Sequence, residues 1–495
     1  MVDLGLRSAV DLATAIKAKD LSAVELLDHY LDRVDRLNPS INALVTFDLD
    51  RARSRAAAAD QVTMRGEHLP PLHGVPCSIK DAIATEGIKT TGGAVEMANN
   101  VPTEDASVVR RLKEAGAIVF AKSNLPRWSG DMQAYNDLFG TTNNPWDLSR
   151  VPGGSSGGAS AAVAAGLSAF DVGTDIGGSI RGPAHFAGIC GHKPSFGVVS
   201  ALGYIDHPTA GLTEPDVNVL GPLARRVEDL ELVFSLIAGP TEDRAPAWRL
   251  DLPPPKAANL GGYRIAAWLD ESSCPVSSDV AASLNAAVGA IEGEGVGVDR
   301  AARPDLDFDV VRSVGLPLIS AATSPGRTDE EFERFRQIIA DPAEAAETMV
   351  MRARASAGFH RDWLLLTEQR EQIRRQWAEF FTRFDICLCP VIIVPAFEHY
   401  QEGNLYSRRL IVDGQDRPYA DLILWTSLIG MAYLPSTVVP VGLSPDGLPV
   451  GIQIVGPFLS DRSTLAVARH LEQLLGGYQV PPMAMLDEGN QQRGE

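Results

Sequence analysis

Two glycine-flanked serines dominate the chain: Ser155, in Gly153-Gly154-Ser155-Ser156-Gly157-Gly158, and Ser179, in Gly177-Gly178-Ser179, 24 positions further on. The residues between them leave few ways to fold. An alanine-rich run from Ala159 to Gly166 has strong helix propensity, so the first glycine-serine loop feeds a helix. The apolar run Phe170 to Gly173 is too short for a helix and is followed by Thr174-Asp175-Ile176-Gly177-Gly178-Ser179, which reads as a strand ending in a tight turn. Pro183, soon after Arg181, suits the first turn of a second helix. Ser179 therefore sits on a turn where Gly177 and Gly178 let successive backbone N–H groups converge. The N–H groups of Ile176, Gly177, Gly178 and Ser179 are candidates for an oxyanion site.

A nucleophilic serine needs a base. The run Val75-Pro76-Cys77-Ser78-Ile79-Lys80 reads as a strand, and alternation puts Lys80 on the face of Ser78 while sending Asp81 to the other. A desolvated lysine without a carboxylate beside it loses its proton near neutral pH and can act as a general base. Taken alone, the glycine-serine loop would also suit a flexible turn or a phosphate cradle. A P-loop needs a Gly-Lys-Ser/Thr ending, which Gly157-Gly158-Ala159 lacks. Gly153 to Gly157 matches G-x-S-x-G, but the preceding Asn143-Asn144-Pro145-Trp146 is loop, so the strand of a nucleophile elbow is missing.

The joined pattern, a glycine-serine loop followed by Gly177-Gly178-Ser179-Ile180-Arg181-Gly182-Pro183, resembles the amidase signature family. The resemblance implies a catalytic triad with Ser179 as nucleophile, Ser155 as a serine preceded by a cis peptide bond, and Lys80 as base. Ser156, Asp175 and Arg181 would support the turn. It also implies an α/β fold: one large domain whose mixed central sheet carries helices on both faces. No cofactor and no metal are expected. The phrase Ser129-Gly-Asp-Met-Gln-Ala-Tyr-Asn-Asp-Leu-Phe-Gly140 is similar to the bacterial branch that includes nylon-oligomer, aryl-amide and carbamate (urethane) hydrolases.

Along the chain, residues 1–60 read as helical, with capping arrangements at Ser8 and Ser22; only Ser22 has the glutamate, Glu25, of a capping box. From Pro71 short apolar runs alternate with helical segments, as in α/β proteins. The loop from Ser123 to Pro145 passes beside the nucleophile in the resembled family, which makes Asp131 and Gln133 candidate substrate contacts. His185, His192 and His207 lack metal-ligand or catalytic spacing and read as structural. The proline-rich segment after Gly239 is a linker or surface loop, and 300–384 reads as a variable substrate region. There Phe359, Trp363, Leu366, Ile373 and Trp377 form an apolar helix face, and Arg370, Arg374 and Arg375 a solvated one. The expected organisation is one domain over 1–480, with N-terminal helices over 1–60 and a catalytic core over 71–240. A mobile tail is expected over 481–495.

A net charge of −19 argues against nucleic acid and anionic membrane as partners. The five scattered cysteines lack metal spacing, the N-terminus lacks a signal pattern, and no apolar run reaches spanning length, so a cytoplasmic protein without a membrane partner is expected. A homodimer stays open. The function expected is hydrolysis of small neutral amides through a seryl acyl-enzyme, with carbamates and esters as alternative substrates. Membership of an amidotransferase complex is a second class. Against it, the serine-leucine-aspartate-glutamine stretch of such chains is replaced by Thr213-Glu-Pro-Asp-Val-Asn-Val-Leu-Gly-Pro222. A non-catalytic binding module is disfavoured because Lys80, Ser155 and Ser179 are all present.

Overall fold

The computed structural model describes residues 3–485 apart from 344, 346 and 404. Its frame is a sheet of eleven strands among those residues: β1 Leu44–Phe47, β2 Pro76–Lys80, β3 Ile118–Ser123, β4 Phe170–Asp175, β5 Cys190–Lys193, β6 Val219–Ala224, β7 Ile265–Ala267, β8 Val298–Asp299, β9 Ile386–Pro390, β10 Ser436–Leu443 and β11 Pro449–Val455. The spatial order is β1-β3-β2-β4-β6-β5-β10-β11-β9-β7-β8. It is a mixed sheet. β2 runs parallel to both β3 and β4, whereas β4 and β6 are antiparallel, as are β10 and β11.

Both faces are covered, and the strands show why they read as unbroken apolar runs. Along β9, Ile386 and Leu388 enter one hydrophobic core while Cys387 and Cys389 enter the other. The first core is closed by Ala9–Ala18, Ala23–Ile41, Val227–Ile237, Ser278–Gly293 and Asp461–Leu475. The second is closed by Arg181–Ala187, Leu316–Ala322, His360–Arg383 and Leu424–Met431. Each fully buried Val, Leu or Ile in these layers contributes ~1.5–3 kcal/mol relative to exposure. The helix Gly157–Ala164 is buried throughout and gives side chains to both cores, which only a run of Gly, Ala, Ser and Val is small enough to do.

Several elements differ from expectation. The N-terminal region is interrupted by β1, which pairs with β3 at the sheet edge; four residues, Leu-Val-Thr-Phe, are too few to show strand periodicity among helices. The proline-rich segment after Gly239 divides nothing, because β7 and β8 rejoin the same sheet. Within the expected tail, Pro482–Met485 is a short helix that docks by Met483 N–H donating to Pro145 O, with Ala484 buried. The remainder of that tail, 486–495, lies outside the described residues. The capping box at Ser22 and Glu25 is present, and at Ser8 the side chain accepts from Asp11 N–H. All five cysteines are free and buried. No helix among the described residues is long and apolar enough to cross a membrane.

Candidate active site

β2 ends at Lys80, which is fully buried. Its Nζ lies 2.6 Å from Ser155 Oγ and 2.7 Å from Thr174 Oγ1, the latter near the end of the neighbouring β4. Burial holds the Lys80 amine down at about 7, against a smaller opposing pull from the Asp175 and Asp171 carboxylates. No carboxylate among the described residues hydrogen-bonds it. Asp81 turns away and accepts from Thr91 N–H and Oγ–H, while Asp171 accepts from Ser78 Oγ–H at 2.6 Å.

The Gly154–Ser155 peptide is cis. A side chain at Gly154 would stand 2.5 Å from the backbone of Met132 and its neighbours, so the loop 131–133 can pass directly over the serine pair only because residue 154 is glycine. Ser156 N–H donates to Ser179 O at 3.2 Å, tying the two glycine-serine segments together. Ser156 Oγ lies 3.3 Å from both N and O of Thr174, which pins the end of β4 to the loop.

Beyond β4 the turn is built on Asp175. Its carboxylate accepts from Gly178 N–H at 2.9 Å and Ile180 N–H at 3.1 Å, and from Arg181 Nε and Nη2 at 3.0 and 2.8 Å. Burial alone would raise the Asp175 carboxyl, but the Arg181 charge and hydrogen bonds overcome it and hold the group below the usual carboxylate range. Arg181 in turn donates to Thr426 O and Gln453 Oε1, both at 2.8 Å. This arrangement removes one of the four N–H groups proposed for an oxyanion site, since that of Gly178 faces Asp175. The N–H groups of Ile176, Gly177 and Ser179 have no acceptor among the described residues.

Ser179, Ile176 and Gly177 line a cavity of about 310 Å³. Trp128, Asp131, Met132 and Tyr135 form one wall, and Ile319, Thr323, Arg327 and Arg352 come from the 300–384 region. The two walls expected from sequence therefore meet here, but the two polar candidates part company. Asp131 lines the cavity, yet its oxygens are engaged by Arg408, Tyr135 and Tyr419. Gln133 does not line it. Gln133 is buried and spends its amide on Tyr400, donating to its O at 2.6 Å and accepting from its N–H at 3.0 Å, so it fastens the 398–401 segment. A larger groove of about 910 Å³ lies beyond helix Leu316–Ala322, and none of Lys80, Ser155 and Ser179 lines it.

The expected solvated arginine face is also corrected. Arg370 is buried, pairs with Asp216 at 2.6 Å and lies over the Tyr433 ring; Arg374 stacks on the same ring, and only Arg375 is exposed. Phe359 stands outside the apolar face, 71% exposed. The histidines are structural in placement. His185 is buried between Gly451 N–H and Val394 O, and His192 between Thr437 and Asp461. Among the described residues no group of three or more His, Cys, Asp or Glu is placed to hold a metal. Thr174, Arg352 and Arg408 escaped the sequence reading; only Thr174 left a signal, as a hydroxyl-bearing residue directly before Asp175 at the end of β4.

Comparison with known proteins bears on the family and the fold. The family model described as Amidase matches residues 25–465. The chain is 33% identical over 501 aligned positions to a chain of the glutamyl-tRNA(Gln) amidotransferase of Acidothermus cellulolyticus, covering 95% of each. It is 32% identical to the chain of the same name from Moorella thermoacetica, covering 95% of this chain and 97% of that one. Among solved structures, a bacterial aryl acylamidase of the amidase signature family superposes with a TM-score of 0.81 at 26% identity, covering 97% of this chain and 98% of that one. A 6-aminohexanoate cyclic dimer hydrolase does so with 0.76 at 25% identity, covering 98% and 100%. The motif, the mixed sheet and a match spanning nearly the whole chain make this protein an enzyme of the amidase signature family.

Proposed function

We propose that the chain hydrolyses the C–N bond of small amides through an acyl-enzyme on Ser179, with Ser155 and Lys80 as its proton relay. The observation that carries this reading is the buried Lys80 amine 2.6 Å from Ser155 Oγ, held near neutrality at about 7. Ser179 Oγ attacks the carbonyl carbon; its proton goes to Ser155 Oγ as Ser155 passes its own to Lys80 Nζ. The N–H groups of Ile176, Gly177 and Ser179 hold the oxyanion, each such donor being worth ~3–4 kcal/mol at comparable sites. Collapse breaks the C–N bond, and the proton on Lys80 returns through Ser155 to the leaving amine. Water then attacks the ester by the same relay, releasing the acid and restoring Ser179. A 310 Å³ cavity with Ile176, Ile319 and Ile423 on its walls suits a small, partly apolar acyl group. Carbamate and ester carbonyls make the same demand on the site.

The chain works as one unit over 1–480, and its five free, buried thiols fit a reducing compartment such as the cytoplasm. Treatment with a fluorophosphonate followed by peptide mapping is expected to label Ser179, and Ser179→Ala to abolish labelling and turnover together. Label on Ser155 with an active Ser179→Ala would overturn the assignment. The names of the relatives from Acidothermus cellulolyticus and Moorella thermoacetica favour a second reading, membership of an amidotransferase complex. Its mark would be a partner chain that co-purifies and glutamine as the preferred amide.

A further inference from the structure

Four guanidinium groups line the cavity in front of Ser179, and three of them are matched by carboxylates. Arg127 pairs with Glu96 at 2.6 Å, Arg408 with Asp131, and Arg327 with Glu331 at 3.3 Å. Arg352, on helix Glu347–Ala357, is the exception. It is 7% exposed, its Nε is buried without a hydrogen-bond partner, and no acceptor among the described residues takes any of its N–H groups. Its cation lies over two rings instead, 4.1 Å from the centroid of Tyr406 and 5.4 Å from that of Phe335. Stacking orients the guanidinium plane but satisfies none of its in-plane donors. Only Nε is shut off from solvent; the rest of the fork is open to the cavity that Arg352 lines, where an anion would complete it.

We propose that Arg352 recognises a carboxylate on the acyl portion of the substrate, so that the preferred amides are monoamides of short dicarboxylic acids. This rests on Ser179 being the nucleophile. A carboxylate can meet the guanidinium fork through two parallel hydrogen bonds, while Ile176, Ile319 and Ile423 flank the methylenes between the two ends. Among the described residues the same cavity has no inner counter-charge for an α-ammonium group. Asp131 Oδ1 accepts from Tyr419 O–H at 2.9 Å and Met132 N–H at 2.7 Å, Oδ2 takes Tyr135 O–H and Arg408, and Asp137 is exposed at the rim. Glutamine is therefore a poorer substrate than the monoamide of the same length without the amino group. The proposal departs from the neutral acyl group expected from sequence, because Arg352 lines the cavity without a carboxylate partner.

The test compares succinamate, glutaramate and adipamate with butanamide, pentanamide and hexanamide, following ammonia release by the full-length enzyme. At least one monoamide is expected to exceed its uncharged counterpart in kcat/KM on the order of tenfold or more, a difference carried mainly by KM. Arg352→Gln is expected to bring that ratio within about twofold of one, and Arg352→Lys to restore part of it. Calorimetric titration with glutarate supplies a readout free of catalysis: binding to Ser179→Ala, and its loss in the Ser179→Ala, Arg352→Gln double variant with an unchanged near-ultraviolet spectrum. Ratios near one for all three pairs in the wild type, or a ratio that survives Arg352→Gln, overturn the proposal and leave Arg352 as a stacking residue. Failure of the hydrolase reading looks different, with no amide of either kind cleaved and no label on Ser179, and the glutarate titration then decides the carboxylate site alone.

Discussion

Replacing Lys80 by methionine should make the protein more stable and almost inactive. Burial lowers the amine from its ordinary 10.5 to about 7. Between those two values the unfolded chain binds a proton that the native one does not, so stability rises with pH. The penalty is fully present below about pH 7 and gone above 10.5. At pH 7 it amounts to ~4–5 kcal/mol, and at pH 9 to ~2 kcal/mol. Methionine escapes the penalty but forfeits the contacts to Ser155 and Thr174 at 2.6 and 2.7 Å, leaving both hydroxyls short of a partner. That loss is ~2–3 kcal/mol for the pair. Lys80→Met is thus expected to exceed the wild type by ~1–3 kcal/mol at pH 7, and that margin should shrink by ~2 kcal/mol at pH 9. Urea unfolding of both proteins at the two pH values measures it, and the comparison cancels other titrating groups such as Lys122 and Lys193. Burst kinetics on an anilide should show wild-type acylation rising about tenfold from pH 6 to pH 8 as the amine loses its proton, and a ~10²–10⁴-fold loss in Lys80→Met. A variant less stable than wild type by the same amount at pH 7 and 9 would mean that Lys80 is buried as a cation, and the relay drawn here would fail.

Two other substitutions examine what surrounds the relay. Thr174→Val removes the second contact of Lys80 and should lower kcat about tenfold with KM little changed, while Thr174→Ser retains most activity; an unchanged kcat in the valine variant would show that Ser155 alone positions the amine. Asp131→Asn leaves Arg408 buried without its counter-charge and should destabilise the protein by ~3 kcal/mol while raising KM, since that ion pair fastens one wall of the cavity; a thermal midpoint equal to wild type would show that Tyr135 and the 401–403 carbonyls suffice.

The parts of the site that the sequence made legible are those whose partners lie on one short segment. From Gly153 to Pro183 the order of loop, helix, strand and turn is dictated by composition, and the structure follows it as Gly157–Ala164, β4 and Arg181–Ala187. Alternation along β2 correctly separated Lys80 from Asp81, because a strand has one degree of freedom and a period of two. The limit of such reasoning shows within the same segment. Counting glycines suggested four N–H groups free for an oxyanion, but a carboxylate at the foot of the turn claims that of Gly178, and only the fold of the turn back onto Asp175 reveals this.

The pairing of buried charges was illegible for a different reason. An arginine on a helix with other arginines nearby reads as solvated because its neighbours in sequence are the only ones visible, and in a chain of net charge −19 that reading is the natural one. Yet Arg370 meets Asp216 across 154 positions and Arg408 meets Asp131 across 277, separations at which no periodicity carries information. Arg352 is harder still, since what distinguishes it is that no carboxylate pairs with it among the described residues, a property that exists only once every other side chain has been placed. The family resemblance could not supply it either, because the motif fixes the reacting atoms, while the groups that choose the substrate come from helices Leu316–Ala322 and Glu347–Ala357, outside the motif. A chemistry legible from about thirty residues and a specificity distributed over a chain of 495 are therefore separate problems. For the second, the informative quantity is the unpaired charge left over when the carboxylates and guanidiniums lining a cavity have been matched.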